Sequence, residues 1–154
     1  MAGNTQMKRR SFIATSAALA ATVIVRPVAA LAQSSVLTPL VSAYAKGGTV
    51  REGRVKFDIA PLVDNGNSVP INITVDSPMT QAQHVVGIAV FNEKNPQNDV
   101  AQFTLSPLSG RARVATRIRL ATSQQLVAVA KMNDGSCWTH TVEVLVTIAS
   151  CIEE

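Results

Sequence analysis

Hydrophobic and polar positions alternate with a period of two along most of this chain. Val55, Phe57 and Ile59 alternate with Arg54, Lys56 and Asp58. Val69, Ile71, Ile73 and Val75 alternate with Pro70, Asn72 and Thr74. Successive side chains of a strand point to opposite faces, so such runs predict strands with one face buried. His84 to Phe91 is apolar almost throughout, as expected of a strand covered on both faces. Val100–Leu105, Arg111–Leu120 and Gln125–Met132 give three more strands. The last runs from Cys137 to Ile148, with Trp138, His140, Val142, Val144, Val146 and Ile148 on one face.

Turn signals separate these runs: Asp64-Asn65-Gly66-Asn67, Asp76-Ser77-Pro78, the polar stretch Asn92–Asp99, Pro107–Gly110 and Asn133-Asp134-Gly135. Val36–Lys46 differs. Its apolar residues have helical spacing, Pro39 lies near its start, and Gly47-Gly48 follows its end, which predicts a short helix. About seven short strands at intervals of 8 to 15 residues predict an all-β, immunoglobulin-like sandwich with one short N-terminal helix.

The first 32 residues break the pattern. Met7-Lys8-Arg9-Arg10-Ser11-Phe12-Ile13 is basic and leads into an apolar run, Phe12 to Val25, without charge. Arg26-Pro27 ends the run and Ala30-Leu31-Ala32 follows, the layout of a cleaved secretory signal. The run covers fourteen positions, short of the roughly 20 that span a bilayer. Arg9-Arg10-Ser11-Phe12-Ile13 fits a twin-arginine export signal, against the plainer reading of a general secretion signal. The expected organisation is a leader at 1–32, a sandwich domain at 33–148 and a tail at 149–154, located in the periplasm with no membrane anchor after cleavage.

Removing the leader changes the charge. It holds Lys8, Arg9, Arg10 and Arg26, four of the 14 basic residues and none of the 10 acidic ones. The mature chain is formally neutral, which gives no support for nucleic-acid binding.

Among residues that carry chemistry, His84 and His140 lie in predicted strands with no third metal ligand at a suitable spacing. Cys137 and His140 are three apart and face opposite sides of a strand, unlike a copper site. No metal or other cofactor is expected. Asn72-Ile73-Thr74 is a chance sequon in mid-strand. Trp138 is expected in the core. Arg113, Arg117 and Arg119 share the face of one strand, read as a solvated face or a partner contact.

Two cysteines remain. A disulfide between Cys137 and Cys151 is the default for an exported protein. An extended strand between them, however, separates the two Cα atoms by roughly 46 Å, whereas a bridge needs about 5.5 Å. Cys151 lies four residues from the end of the sequence, just past the last strand. A thiol on a chain end can be offered to several active sites in turn, which is what a carrier requires.

Several segments carry a family resemblance over roughly residues 40 to 151. They are Asp64-Asn65-Gly66-Asn67-Ser68-Val69-Pro70, Val75-Asp76-Ser77-Pro78-Met79, Glu93-Lys94-Asn95-Pro96 and Val100-Ala101-Gln102-Phe103. Thr116-Arg117-Ile118-Arg119-Leu120-Ala121, Ala130-Lys131-Met132-Asn133-Asp134-Gly135 and Val144-Leu145-Val146-Thr147-Ile148 complete them. In this order they resemble SoxY, the carrier subunit of the periplasmic thiosulfate-oxidising Sox system. The resemblance implies an immunoglobulin-like fold and a heterodimer with a SoxZ-like subunit. It also implies a covalent sulfur carrier rather than an enzyme, with cargo on Cys151. A Sox c-type cytochrome would load thiosulfate, a hydrolase would release sulfate, and a sulfane dehydrogenase would oxidise the remaining sulfur. The alternative is a non-covalent periplasmic binding or scaffold module with a degenerate tail.

The tail departs from the family's Gly-Gly-Cys-Gly-Gly. Here it reads Ala149-Ser150-Cys151-Ile152-Glu153-Glu154. Its larger side chains restrict an arm that glycines leave free. Its carboxylates are expected to disfavour a thiolate and repel anionic cargo.

Overall fold

The computed structural model describes residues 36–148. The leader 1–32, residues 33–35 and the tail 149–154 with Cys151 lie outside the described residues.

All seven expected strands form, and two short ones join them. The elements are α1 (Leu37–Ala45), β1 (Val50–Glu52), β2 (Val55–Asp58), β3 (Leu62–Asn65), β4 (Val69–Val75), β5 (Val85–Asn92), β6 (Asp99–Thr104), β7 (Arg113–Ile118), β8 (Gln124–Met132) and β9 (Cys137–Ile148). The larger sheet runs β1-β9-β8-β5-β6, with β3 also paired to β9; the smaller is β2-β4-β7.

β1 and β3 were not legible as strands because nothing in them alternates. Val50, Arg51 and Glu52 are all exposed, and β3 is exposed or half-buried. What makes them strands is the edge of β9. β1 pairs in parallel with its first residues, Val50 opposite Cys137, and β3 with its last, Leu62 opposite Leu145. Between them the chain crosses to the other sheet as β2, leaving the middle of that edge open. His140 lies in that middle stretch of β9. Its Nδ1 accepts the backbone N–H of Phe57 at 2.9 Å, tying β9 to β2 across the sandwich.

The inward faces meet in one core. Phe57, Ile71, Ile73, Ile88, Val90, Leu120, Leu126 and Val144 are among its buried members, with Trp138, Val142 and Val146 packed against them. Each such side chain contributes about 1.5–3 kcal/mol on full burial. The stripe on β9 opens to solvent at its end, where Ile148 is 61% exposed. Trp138 packs on the core as expected, and Arg54 lies over its ring at 4.9 Å.

A second cluster lies on the outer face of the larger sheet. Leu37, Val41 and Ala45, on one side of α1, cover Ala89, Phe91, Val127, Val129 and Cys137. The nine-residue helix is too short to persist alone and depends on this docking. It ends in a left-handed Lys46, whose N–H returns to the Ser42 carbonyl. Gly87 gives the Tyr44 hydroxyl room, since a Cβ there would stand 2.7 Å from that oxygen. β5 is thus buried on both faces, as its uniform hydrophobicity predicts.

Candidate functional site

The expected carrier residue, Cys151, lies outside the described residues, so the site is defined by the place where the chain leaves the sandwich. β9 is continuous to Ile148, and its end is held on both sides. On one side the Gly66 N–H donates to the Ile148 carbonyl at 3.0 Å. The Gly66 carbonyl in turn accepts from the Leu120 N–H at 2.9 Å. One glycine therefore bridges the end of β9 to Leu120, two residues past the end of β7. Only a glycine fits, because a Cβ at position 66 would run into the Leu120 carbonyl and stand 3.2 Å from Val146 Cγ1. Thr147 adds a hydrogen bond from its hydroxyl to the Asp64 carbonyl at 2.9 Å.

On the other side Ser123 bonds the backbone of Val146, its hydroxyl accepting the Val146 N–H at 2.8 Å. Ser123 is in turn fixed by Lys94, whose ammonium donates to the Ser123 carbonyl at 3.0 Å. Asn95 organises the rest. Its Oδ1 accepts from the Ala121 N–H at 2.9 Å and from Gln124 Nε2 at 2.8 Å, and its Nδ2 donates to the Arg119 carbonyl at 2.9 Å. Gln124 is buried and returns an acceptor to the Lys94 N–H at 2.9 Å. Three loops and the end of β9 are thereby locked into one rim around the root of the tail.

Three of the segments singled out in the sequence meet at this rim: Asp64–Pro70, Glu93–Pro96 and Thr116–Ala121. Nothing in the sequence announced that they would. The contacts join residues 23 to 30 positions apart around Asn95 and Ser123, and Gly66 lies farther still from both its partners, 54 positions from Leu120 and 82 from Ile148. Each segment read alone is an ordinary polar turn.

The charged face expected on β7 is present. Arg113, Arg117 and Arg119 are exposed on one side. Arg113 donates to Asn72 Oδ1 at 3.0 Å and Arg117 to Ser68 Oγ at 3.4 Å, both uncharged acceptors. Among the described residues the ion pair is Lys56 with Asp58, at 3.1 Å.

Cys137 is separate from all this. It is fully buried under α1 as a free thiol, and burial pushes its pKa up. It therefore stays protonated, the unreactive form, through neutral pH. β9 carries the chain about 36 Å from Cys137 to Ile148 at ~3.3 Å per residue. Three further residues reach at most about 11 Å. Cys151 cannot bridge to Cys137 within this fold. Native protein treated with an alkylating reagent is expected to leave Cys137 unlabelled, reacting on the order of 100-fold more slowly than in denaturant. Peptide mapping checks this; rapid native labelling of Cys137 would contradict the packing under α1.

His84 is not in a strand. It precedes β5, its backbone N–H donates to Asn133 Oδ1 at 3.1 Å, and its ring lies 3.0 Å from the Thr80 carbonyl. His140 and Cys137 do stand on opposite faces of β9, one toward β2 and one under the helix. Among the described residues no three His, Cys, Asp or Glu side chains group as metal ligands. Among them, too, no helix is long and apolar enough to cross a membrane.

Residues 41–151 match the model of the family described as sulfur oxidation protein SoxY. The chain belongs to the SoxY family. The match takes in all the rim segments and reaches Cys151 itself. The sulfur carrier protein SoxY from Chlorobium limicola f thiosulfatophilum is similar at 25% identity and a TM-score of 0.61, over 73% of this chain and 96% of that one. The superoxide reductase (neelaredoxin) of Ignicoccus hospitalis is similar at 19% identity, with a TM-score of 0.54 over 61% of this chain and 80% of its own. A putative superoxide reductase from Thermotoga maritima gives 20% identity and 0.52, over 67% and 89%. The last two show a shared sandwich and nothing of chemistry. No curated protein matches the sequence. As a SoxY-family member, this chain has its place among the proteins of sulfur oxidation.

Proposed function

We propose that this protein is an exported covalent sulfur carrier, holding thiosulfate-derived sulfur on the Cys151 thiol and presenting it to oxidation enzymes in the periplasm. The observation that carries this reading is the fixed end of β9. A rigid strand delivers the chain to an exposed rim, and the thiol follows three residues beyond, within a family match that ends on it. A firm root and a short free reach are the mechanical needs of an arm that enters other proteins' active sites.

Loading balances as a two-electron oxidation. The Cys151 thiol and thiosulfate form an S–S bond, giving a cysteine S-thiosulfonate, one proton and two electrons. The electrons pass to a c-type cytochrome. Water then cleaves the terminal S–S bond, releasing sulfate and leaving a persulfide for a sulfane dehydrogenase. A SoxZ-like subunit is the expected partner in a heterodimer, and the leader 1–32 is the expected export signal. The chain supplies the attachment atom and the scaffold, and the enzymes supply the chemistry.

The test is to incubate mature protein with thiosulfate and its cytochrome oxidant, then weigh it intact and map the adduct. The expected result is one thiosulfate group on the peptide holding Cys151. An unmodified mass, with the cytochrome active on another SoxY-family carrier, would reject the carrier reading and leave a non-covalent module.

A further inference from the structure

We propose that the outer face of β2-β4-β7 is the surface on which this carrier receives the enzyme that loads it, a protein presenting a cluster of carboxylates. The partner's role rests on the carrier reading above; its acidity is read from the face itself.

Three observations support this surface. The first is segregation of charge. Arg54, Lys56, Arg111, Arg113 and Arg117 line two shallow depressions that meet at Arg113, with Asp58 and Asp76 as the acidic residues there. The face is formally +3, whereas the other described residues hold five basic against six acidic side chains, formally −1. A merely solvated surface intersperses both signs; here one small sheet holds the whole net positive charge. Asp58 is engaged by Lys56 at 3.1 Å. Arg113 and Arg117 rest on the uncharged Asn72 and Ser68, so their charge is left for an outside partner.

The second is spacing. Strand register sets Lys56, Thr74 and Arg113 in one row across the face, Asp58, Asn72 and Ala115 in the next, and Pro70 with Arg117 beyond. Lys56 and Arg113 stand two strand spacings apart, about 10 Å. Arg113 and Arg117 are four positions apart on β7, about 13 Å, and lean on different acceptors. Cations so spread do not close on one small oxyanion; they match carboxylates distributed over a protein surface. The face is about 10 Å wide and about 20 Å long, small beside the ~800 Å² per partner of a stable interface. That suits a carrier, which must leave each enzyme it visits. Charge on such a face acts mainly on the rate of encounter.

The third is place. Arg117 donates to Ser68, two residues from Gly66, whose N–H bonds the Ile148 carbonyl where β9 ends. Two residues span at most about 7 Å. The Arg117 end of the face therefore borders the end of β9, and a partner docked on it stands beside the exit of the chain.

The test is the association rate of the loading cytochrome with a Cys151→Ser carrier, which binds without reacting, followed by stopped flow at several salt concentrations. Arg113→Glu with Arg117→Glu is expected to slow association on the order of 10-fold at low salt and to flatten its salt dependence. Arg113→Gln with Arg117→Gln, a milder change to the sheet, gives a smaller loss of the same kind. Arg51→Glu with Lys131→Glu makes an equal charge change on the larger sheet and stays within about two-fold of the parent. Melting curves check that each pair leaves the fold intact. Equal losses in the face and control pairs, or no loss in either, would overturn the docking surface. So would calorimetric binding of sulfate that the arginine changes abolish while cytochrome association is unaltered, the mark of a small-oxyanion site. In the chain with its cysteine, association through this face without any adduct would reject the carrier reading alone.

Discussion

Replacing Cys151 by serine is expected to abolish thiosulfate loading outright, while Cys137→Ala leaves loading intact. The contrast follows from where β9 puts its two ends. Cys137 begins the strand, sealed under α1, with burial raising its pKa and favouring the inert thiol. Cys151 follows the far end, about 36 Å of strand away. Serine keeps the size of the cysteine side chain but cannot form the S–S bond, so intact mass spectrometry should find no adduct. Cys137→Ala removes one buried sulfur beneath Leu37, Val41 and Ala45, at a cost of roughly 1–2 kcal/mol in stability. Loading of Cys151→Ser would place the cargo on the buried thiol and would require α1 to detach. Loss of loading in Cys137→Ala, with its fold intact by circular dichroism, would equally contradict the division of roles.

Gly66→Ala is expected to destabilise the protein by on the order of 3 kcal/mol and to disorder the arm's root. The new Cβ meets the Leu120 carbonyl and the Val146 side chain. Neither yields cheaply: Leu120 is fully buried, and the backbone of Val146 is tied to Ser123. Moving Gly66 away instead breaks its bonds to Ile148 and Leu120 together. Each bond lost in a buried place costs about 1–3 kcal/mol. Gly110→Ala is the control. Gly110 has a φ of +68° and open space around its Cβ position, so only backbone strain of about 1 kcal/mol is expected. Thermal unfolding should separate the two clearly, with a Tm fall of roughly 10 °C for Gly66→Ala. Equal effects would mean that the bridge at Gly66 contributes nothing particular.

The alternation of polar and apolar residues determined most of the fold. Seven strands, the helix over Leu37–Ala45, the double-faced burial of β5 and the outward arginines of β7 follow from local periodicity, because which face a side chain takes is set by its neighbours in sequence. The sequence also singles out Cys151, after the last apolar run, as the expected carrier thiol, a residue that lies outside the described ones. β1 and β3 were not, since their residues carry no pattern and become strands only when β9 offers its edge. The rim was hidden for the same reason. Asn95, Gly66, Ser123 and Arg119 are ordinary loop residues until the sandwich brings the ends of three loops together. Hydrogen bonds between residues remote in sequence exist only once closure of the fold has met the entropy of bringing them close.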